Sequence, residues 1–454
     1  MVLDEWPLVL AAGSFLYRIS NYFGMPSPSR RQFLATLGAA GLTSIAGCVT
    51  YDRPSHEGRW PPETNRYVTD VSGPGSDAYI AWSREMRDAF PPTMPVVADG
   101  TVYHLDSREA QREQSGGTWL GAFDAKTGET QWETRLWETD EHYYFYHLGP
   151  PVFDGDRLFA QTHDGVKAVS TDGELLWTFQ NLGPHQPLPD HAPPLVTDDL
   201  VVAGSYGTDD GGQPEVLYGI DRQTGERVWQ QSVADFDGGS LWRLTLDGDT
   251  CYAPLSSDGR VLALDATTGE PIETYDAGPI GTVTISDNQL LVLSEHGQEE
   301  RLYSFDVATG TQQWSVDLDA GMLEGTVVTD GTRLYHNEFR YLVARRLDTG
   351  EEVWRVGGTD DRYIHQSTPV IAADNLYVSA YRSLGENEGD GSFLLVLDPE
   401  TGTEVGRVIP WNDGTPDTST PAVADGALYL SHSYGELVCF EDCAAGVFDH
   451  CLIG

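Results

Sequence analysis

The sequence predicts an all-β protein: an eight-bladed β-propeller of four-stranded blades, its ring closed by an N-terminal strand. Three features carry this. One phrase, an Asp followed by a Thr-Gly turn and a Trp, returns along the chain. A second phrase, an Asp-Gly turn between two apolar runs, precedes each copy. The last copy lacks a Trp and has no room for a fourth strand, while a strand-like segment carrying Trp82 stands ahead of the first copy.

The first phrase reads "AFDAKTGETQW", "GIDRQTGERVW", "ALDATTGEPIE", "SFDVATGTQQW" and "VLDPETGTEVG". Shorter forms are "VSTDGELLW" and "RRLDTGEEVW", and a degraded form, "FEDCAAGVFDH", stands at the end. Aligned on the turn glycine, the copies fall at Gly128, Gly173, Gly225, Gly269, Gly310, Gly350, Gly402 and Gly446, spaced by 40 to 52 residues. The second phrase appears as "MPVVADGTVYH", "PPVFDGDRLFA", "PPLVTDDLVVA", "TPVIAADNLYVSA" and "TPAVADGALYL". Asp-Gly and Thr-Gly are turn chemistry, because Gly takes positive φ without a Cβ clash. The short alternating runs between, rich in Val, Leu, Tyr and Phe, read as strands. Each repeat therefore holds about four strands, and nothing reads as a long helix. One four-stranded sheet cannot bury both faces alone. Packing the sheets radially buries them and leaves only short edges, which makes each repeat a propeller blade.

Trp132, Trp229 and Trp314 each sit eight residues past the Asp of their phrase, and Trp177 and Trp354 hold the same place after shorter turns. They are expected to pack between neighbouring blades. In "YIAWSREM", Trp82 is expected to supply the missing outer strand of the last blade. The tandem Asp-Gly-Asp of "FDGDRLF" and "LDGDTCY" lacks the 12-residue calcium-loop pattern and reads as a hairpin turn. The propeller is placed at residues 77–454, after a Pro- and Gly-containing tether at 48–76.

Residues 1–47 read as an address rather than as fold. Arg30 and Arg31 precede an apolar segment from Phe33 to Ala46, too short to span a bilayer. "SRRQFL" resembles the twin-arginine export motif. "IAGC", ending at Cys48, resembles a lipobox whose cysteine carries lipid in the mature protein. Export signals begin at the N-terminus, so translation is expected to start at Met25, with residues 1–24 upstream of the true start. The expected location is the outer face of the cell membrane, with Cys48 as the lipid anchor. No run of 18 apolar residues follows Cys48, so no membrane span is expected there.

The chain has 70 Asp plus Glu against 27 Lys plus Arg, a formal charge of −43, with Lys126 and Lys167 its only lysines. Such a charge repels itself until salt screens it, and the composition resembles the proteomes of extreme halophiles of archaeal type. Nucleic acid is excluded as an expected partner, since nothing basic is available to neutralise phosphates. Besides Cys48 there are four cysteines: Cys251, Cys439, Cys443 and Cys451. Outside the cytoplasm they could pair, and a Cys443 to Cys451 bridge would staple the C-terminal end. Their spacing lacks the CxxC form of a metal site.

With the D-x-x-T-G-x-x-x-W phrase recurring along it, the chain resembles the pyrroloquinoline-quinone-like propeller repeat. Quinoprotein alcohol dehydrogenases and BamB-like assembly lipoproteins share this repeat, and it is specific for fold rather than function. The dehydrogenase resemblance implies a quinone stacked on a disulfide between adjacent cysteines, with calcium held by Glu, Asn and Asp. This sequence has no adjacent cysteine pair and no long inserted loops. The BamB-like resemblance implies a non-enzymatic scaffold for membrane or surface proteins, and it fits the size, the short blades and the lipid anchor. An archaeal-type halophile has no outer membrane, so the assembly role itself does not carry over. The expectation is a protein-binding or ligand-binding module without a cofactor; pyrroloquinoline quinone with calcium belongs only to the alternative, a quinoprotein dehydrogenase.

Propellers usually bind at the mouth of the central channel. The blade alignment places His147 and His365 four residues before the Pro of "PPV" and "TPV". Asp417 stands at that place in the last blade, with His191 one position off and Trp242 nearby in the fourth. Beside His147, "HYYFYH" is an unusually aromatic stretch. These five residues are the candidate ligand- or partner-binding group at the channel mouth. No catalytic residue and no metal ligand is assigned.

Overall fold

A computed structural model describes the strand framework of the protein between residues 67 and 453. Not described are residues 1–66 and 454, together with 69–71, 76–77, 88–92, 109–114, 140–148, 181–192, 206–214, 237–240, 242, 256–258, 279, 287, 297–298, 320–325, 359–361, 365–367, 384–389, 409–417, 433–434, 443–444 and 448–449. Arg30, Arg31, Cys48 and Cys443 therefore lie outside the described residues, and so does the side chain of Cys451.

The described strands form eight antiparallel blades. Blade 1 consists of Val96–Ala98, Thr101–Arg108, Gly116–Asp124 and Thr130–Thr139; blades 2 to 7 follow at 152–179, 195–232, 245–276, 280–318, 328–357 and 370–408. Blade 8 takes Ala422–Ala424, Ala427–His432 and Glu436–Asp442 from the C-terminal end and its outer strand, Ala78–Glu85, from the N-terminal side. The ring therefore closes as the sequence predicts, with Trp82 opposite Cys439. The only helical element described is a single 3-10 turn, Val233–Phe236. No helix of the described residues is long and apolar enough to cross a membrane.

The strand order gives the ring two unlike faces. The turns between the first and second strands, and those between the third and fourth, lie at one end of each blade, the turn face. They are short and tied together: Ala125 N–H donates to Gly100 O, and the pattern recurs as Arg222 to Asp199, Ala266 to Asp249, Val307 to Asn288 and Leu347 to Thr332. In each long turn the Asp side chain takes the next backbone N–H groups, as Asp221 does from Gln223 and Thr224. The Asp-Gly-Asp segments are hairpin turns, as read: Asp154 ends one strand, Gly155 turns with φ 68°, and Arg157 starts the next. The opposite end, the loop face, carries the connections between second and third strands and those between blades.

The recurring tryptophans clasp each blade to the next. Each Trp ring lies against the turn glycine of the following blade, where a Cβ would come within 2.6 to 2.8 Å: Trp82 on Gly128, Trp132 on Gly173, Trp177 on Gly225, Trp229 on Gly269, Trp314 on Gly350 and Trp354 on Gly402. These glycines also need positive φ, from 67° to 86°, so both steric and backbone reasons fix them. Each indole N–H then donates to a carbonyl two or three residues before that glycine: Ala125, Thr171, Arg222, Ala266, Leu347 and Pro399. Blade 4 has Glu273 in the Trp place, and Tyr275 substitutes by donating its hydroxyl to Val307 O of blade 5. The apolar core lies between blades, with one cluster spanning each neighbouring pair, for example Val152, Phe159, Trp177, Val201 and Tyr218 between blades 2 and 3.

The register corrects one detail of the repeat alignment. In blades 1, 3, 5 and 6 the Trp pairs with the residue two before the turn Asp or its equivalent: Ala122, Gly219, Ser304 and Ala344. Trp82 pairs with Cys439, which makes Glu441, not Asp442, the equivalent in blade 8. Alignment on Gly446 is off by one, because the last copy has lost the turn that gave the alignment its meaning. The outer strands are free edges, and charged pairs along them discourage edge-to-edge pairing: Arg135 with Glu138, Arg355 with Glu352, and Arg407 with Glu404.

Candidate functional site

The five candidate residues fall on connections from one blade's outer strand to the next blade's first strand, all opening on the loop face. His147 lies between Thr139 and Val152, His191 between Phe179 and Leu195, Trp242 between Phe236 and Thr245, His365 between Ile364 and Val370, and Asp417 between Val408 and Ala422. All five lie outside the described residues. What is described is the frame on which their connections are mounted. Next to Trp242, fully buried Leu241 bridges to Leu255 and gives its N–H to Glu215. Ahead of His365, Arg362–Ile364 pairs with the second strand of blade 7 and buries Ile364. After Asp417, Thr418 bridges to His432.

Below these connections a belt of polar groups joins blade to blade near the axis. Gln161 Nε2 donates to Gly204 O, Thr245 Oγ1 to Val283 O, Thr284 Oγ1 to Val327 O, and Ser431 Oγ to Thr93 O. Thr368 Oγ1 accepts from Thr326 N–H, and Ser379 and Thr418 share a hydroxyl bond of 2.9 Å. The groups in this belt are mostly buried. Satisfied polar groups of this kind fix how adjacent blades sit, because breaking one leaves a buried donor or acceptor without its partner. The belt holds the rim of the loop face to one geometry.

Two buried His-x-acid pairs stand at the loop-face end of second strands, in blades 1 and 6. In blade 1, His104 is fully buried with Nε2 on Thr93, 3.0 Å from its hydroxyl and 3.2 Å from its carbonyl. Burial pulls its pKa down to about 4, so the ring is neutral. Asp106, two residues on, accepts from Arg87 N–H at 2.9 Å and Arg87 Nη1 at 3.3 Å. Desolvation pushes Asp106 up to about 7 in spite of that arginine, and its Oδ1 has no hydrogen-bond partner among the described residues. Arg87 also bonds Glu133 at 2.6 Å and lies over the Trp119 ring. In blade 6, Arg345 donates to His336 Nε2 at 3.1 Å and to Glu338 at 2.8 Å, and Arg355 reaches Glu338, Glu352 and Asp319. Burial, then the Arg345 charge, pulls His336 down to about 3.

These pairs are internal braces. Both imidazoles are neutral, His336 bonded at both ring nitrogens and His104 at Nε2 among the described residues, and each carboxylate faces an arginine. Cys251 and Cys439 are buried free thiols, pushed up to about 12 by burial, which removes thiolate chemistry from both at neutral pH. Among the described residues, no group of three or more His, Cys, Asp or Glu is placed to hold a metal ion. Sequence reasoning passed over both braces, though a signal was available: "TVYHLD" and "RLYHNE" place Tyr-His-x-acid at the same point of two repeats.

The comparisons with known proteins follow the same lines. The family model described as outer membrane protein assembly factor BamB matches residues 77–234 and 212–441. The chain belongs to the BamB family. Among curated relatives, outer membrane protein assembly factor BamB of Yersinia pestis is 23% identical over 242 residues, covering 51% of this chain and 58% of the relative. The Bordetella pertussis protein of the same name is 24% identical over 395 residues, covering 79% of this chain and 85% of the relative. Among solved structures, BamB from Moraxella catarrhalis matches with a TM-score of 0.55 at 18% identity, over 80% of this chain and 99% of that one. A quinohemoprotein alcohol dehydrogenase from Pseudomonas putida matches with a TM-score of 0.54 at 12% identity, over 85% of this chain and 79% of that one. At these identities the structural likeness establishes the fold.

Proposed function

We propose that the protein is a membrane-anchored, extracytoplasmic scaffold of a salt-adapted cell that binds membrane or surface proteins through its loop face. Membership of a family named for an assembly factor supports the scaffold reading, and the asymmetry of the ring is the observation that carries its location. The turn face is closed by short, internally bonded turns, whereas the longer connections join strand ends on the loop face, above the polar belt. In this reading the twin-arginine motif at Arg30 and Arg31 exports the chain and Cys48 holds it by lipid. His147, His191, Trp242, His365 and Asp417 are the contact group, and no cofactor takes part.

The test is a native-salt pull-down from membranes with the mature protein and a variant carrying Ala at all five positions. The variant is expected to keep its melting temperature and lose most of its partner. Unchanged capture would move the binding surface elsewhere. Cys48→Ser is expected to release the protein from membranes at high salt, and retention would contradict the lipid anchor. The likeness to a quinohemoprotein dehydrogenase keeps one rival reading, a quinoprotein dehydrogenase using pyrroloquinoline quinone and calcium. The described cysteines sit buried in blades 4 and 8 and supply no adjacent pair for a quinone to stack on. Reconstitution with quinone and calcium is expected to give neither bound-quinone absorbance nor dye-linked alcohol oxidation; saturable binding with turnover would replace the scaffold reading.

A further inference from the structure

Seven of the eight blade interfaces are clasped by an outer-strand side chain bonded to the next blade's turn, six by Trp and one by Tyr275. The interface between blades 7 and 8 has neither half of that clasp. Gly406 occupies the Trp place, opposite Val396, and the last copy has no Thr-Gly turn. The chain's own N-terminal segment stands in the gap. Tyr335 of blade 6 and Tyr429 of blade 8 occupy equivalent second-strand positions, and each donates to a turn carbonyl of the following blade, Pro399 and Ala125. Tyr377, the equivalent in blade 7, donates instead to Pro74 O at 2.9 Å. Gly73 lies between Tyr377 and Val423 of blade 8 so closely that a Cβ would come within 2.7 Å of both. Gly75 N–H donates to Asp442 Oδ1 at 2.8 Å.

Upstream of this, Tyr67–Val68 forms a strand on the channel-side edge of blade 7, parallel to the first strand, with Tyr67 opposite Ile371 and Val68 opposite Ala372. First strands run from the loop face to the turn face, so this strand does too. The chain then reaches the turn face at residues 73–75 and climbs back as the outer strand of blade 8.

We propose that Tyr67–Val68 together with Gly73, Pro74 and Gly75 act as a strap: the inner edge of blade 7 is a strand-binding edge whose occupant is this chain's own N-terminal segment. The strap replaces the missing clasp between blades 7 and 8. The strap goes beyond the scaffold reading and does not depend on it.

The test uses the mature chain from residue 48 with Val68→Cys and Ala372→Cys together, oxidised and mapped by mass spectrometry of unreduced peptides. A bond between positions 68 and 372 is expected, with none in the control Val68→Cys with Val328→Cys, on the inner strand of blade 6. No bond, or equal bonding in the control, would overturn the strap, whether or not the protein is membrane-bound. Release of the Cys48→Ser protein concerns the anchor alone, so the two failures are distinguishable. Tyr377→Phe adds a second readout. Protease cleavage between residues 69 and 77 should rise severalfold, while Tyr335→Phe, which loses the matching bond elsewhere, should leave that cleavage unchanged; equal cleavage in both would contradict the docking of Pro74.

Discussion

The interface between blades 6 and 7 and the one between blades 7 and 8 do the same job with different parts. At the first, Trp354 lies on Gly402 and bonds Pro399 O, and Tyr335 bonds the same carbonyl. Everything needed comes from two consecutive repeats. At the second, the repeat supplies no Trp and no turn, and a segment some 300 residues away in sequence brings the carbonyl, the small residue and the fourth strand. The difference shows what these two joints share: a glycine packed where a Cβ would not fit and a carbonyl that accepts from a buried hydroxyl. Local sequence can supply both, or a distant segment can.

Several perturbations would break or sharpen this contrast. The largest is salt. At −43 the charge strains every interface at once, so tertiary structure should be lost in low salt at neutral pH and return in molar salt, where the Debye length falls to about 3 Å. Near-ultraviolet circular dichroism across a salt series checks this, and equal melting temperatures in 0.1 and 3 M salt (about 10 and under 3 Å of screening) would remove the halophilic reading. Next is the local clasp: Trp354 is half-buried, so Trp354→Ala should cost about 3 kcal/mol in denaturant unfolding, the low end of the range for a large aromatic.

Acid comes third. His104 and His336 are held at about 4 and about 3, below the ordinary value near 6.5. Below pH 6.5 the unfolded chain takes up protons that these buried rings refuse, so stability should fall toward pH 4. Each ring contributes about 1.4 kcal/mol per pH unit. Asp106, raised to about 7, opposes this. Its folded form binds a proton that the unfolded carboxylate releases above its ordinary value, so its contribution is gained as pH falls from 7 toward 4. For these three groups the net loss should be near that of one histidine; His163 and His432, also pulled down by burial, add to it, and His336→Gln should reduce it. Smallest is Tyr275→Phe, which removes one hydrogen bond from the Trp-free joint between blades 4 and 5 and should cost about 1 kcal/mol.

The blade count, the closing strand and the role of the tryptophans were legible because a propeller repeats its energetics. Six of the eight joints use the same turn glycine and the same Trp cap, so the pattern recurs in the sequence for most blades. What escaped reading were the places where the period fails. Tyr275 stands two residues past the Trp place, so a fixed offset does not find it. Glu441 had to be set by pairing with the N-terminal strand, since the last copy has no turn to align. The strap at Gly73 and Pro74 looked like a linker because its partners, Tyr377, Val423 and Asp442, are contiguous with it only in space. The candidate binding residues sit on connections that obey no repeat, so alignment could give their place on the loop face but not their contacts. The paired braces His104–Asp106 and His336–Glu338 were written in the sequence as two matching strings, but only burial revealed what they do.

In the proposed strap the N-terminal segment is part of the ring rather than a tether to it. Differential scanning calorimetry of the mature chain, with and without residues 49–90 and in molar salt, tests it most directly. The deletion removes the strap, the outer strand of blade 8 and the Trp82 cap on blade 1 together. The account predicts that the single cooperative transition of the mature chain is lost or falls by tens of degrees, because every blade buries its faces only against its neighbours. A truncated chain that melts with the same midpoint and enthalpy as the mature protein would contradict it.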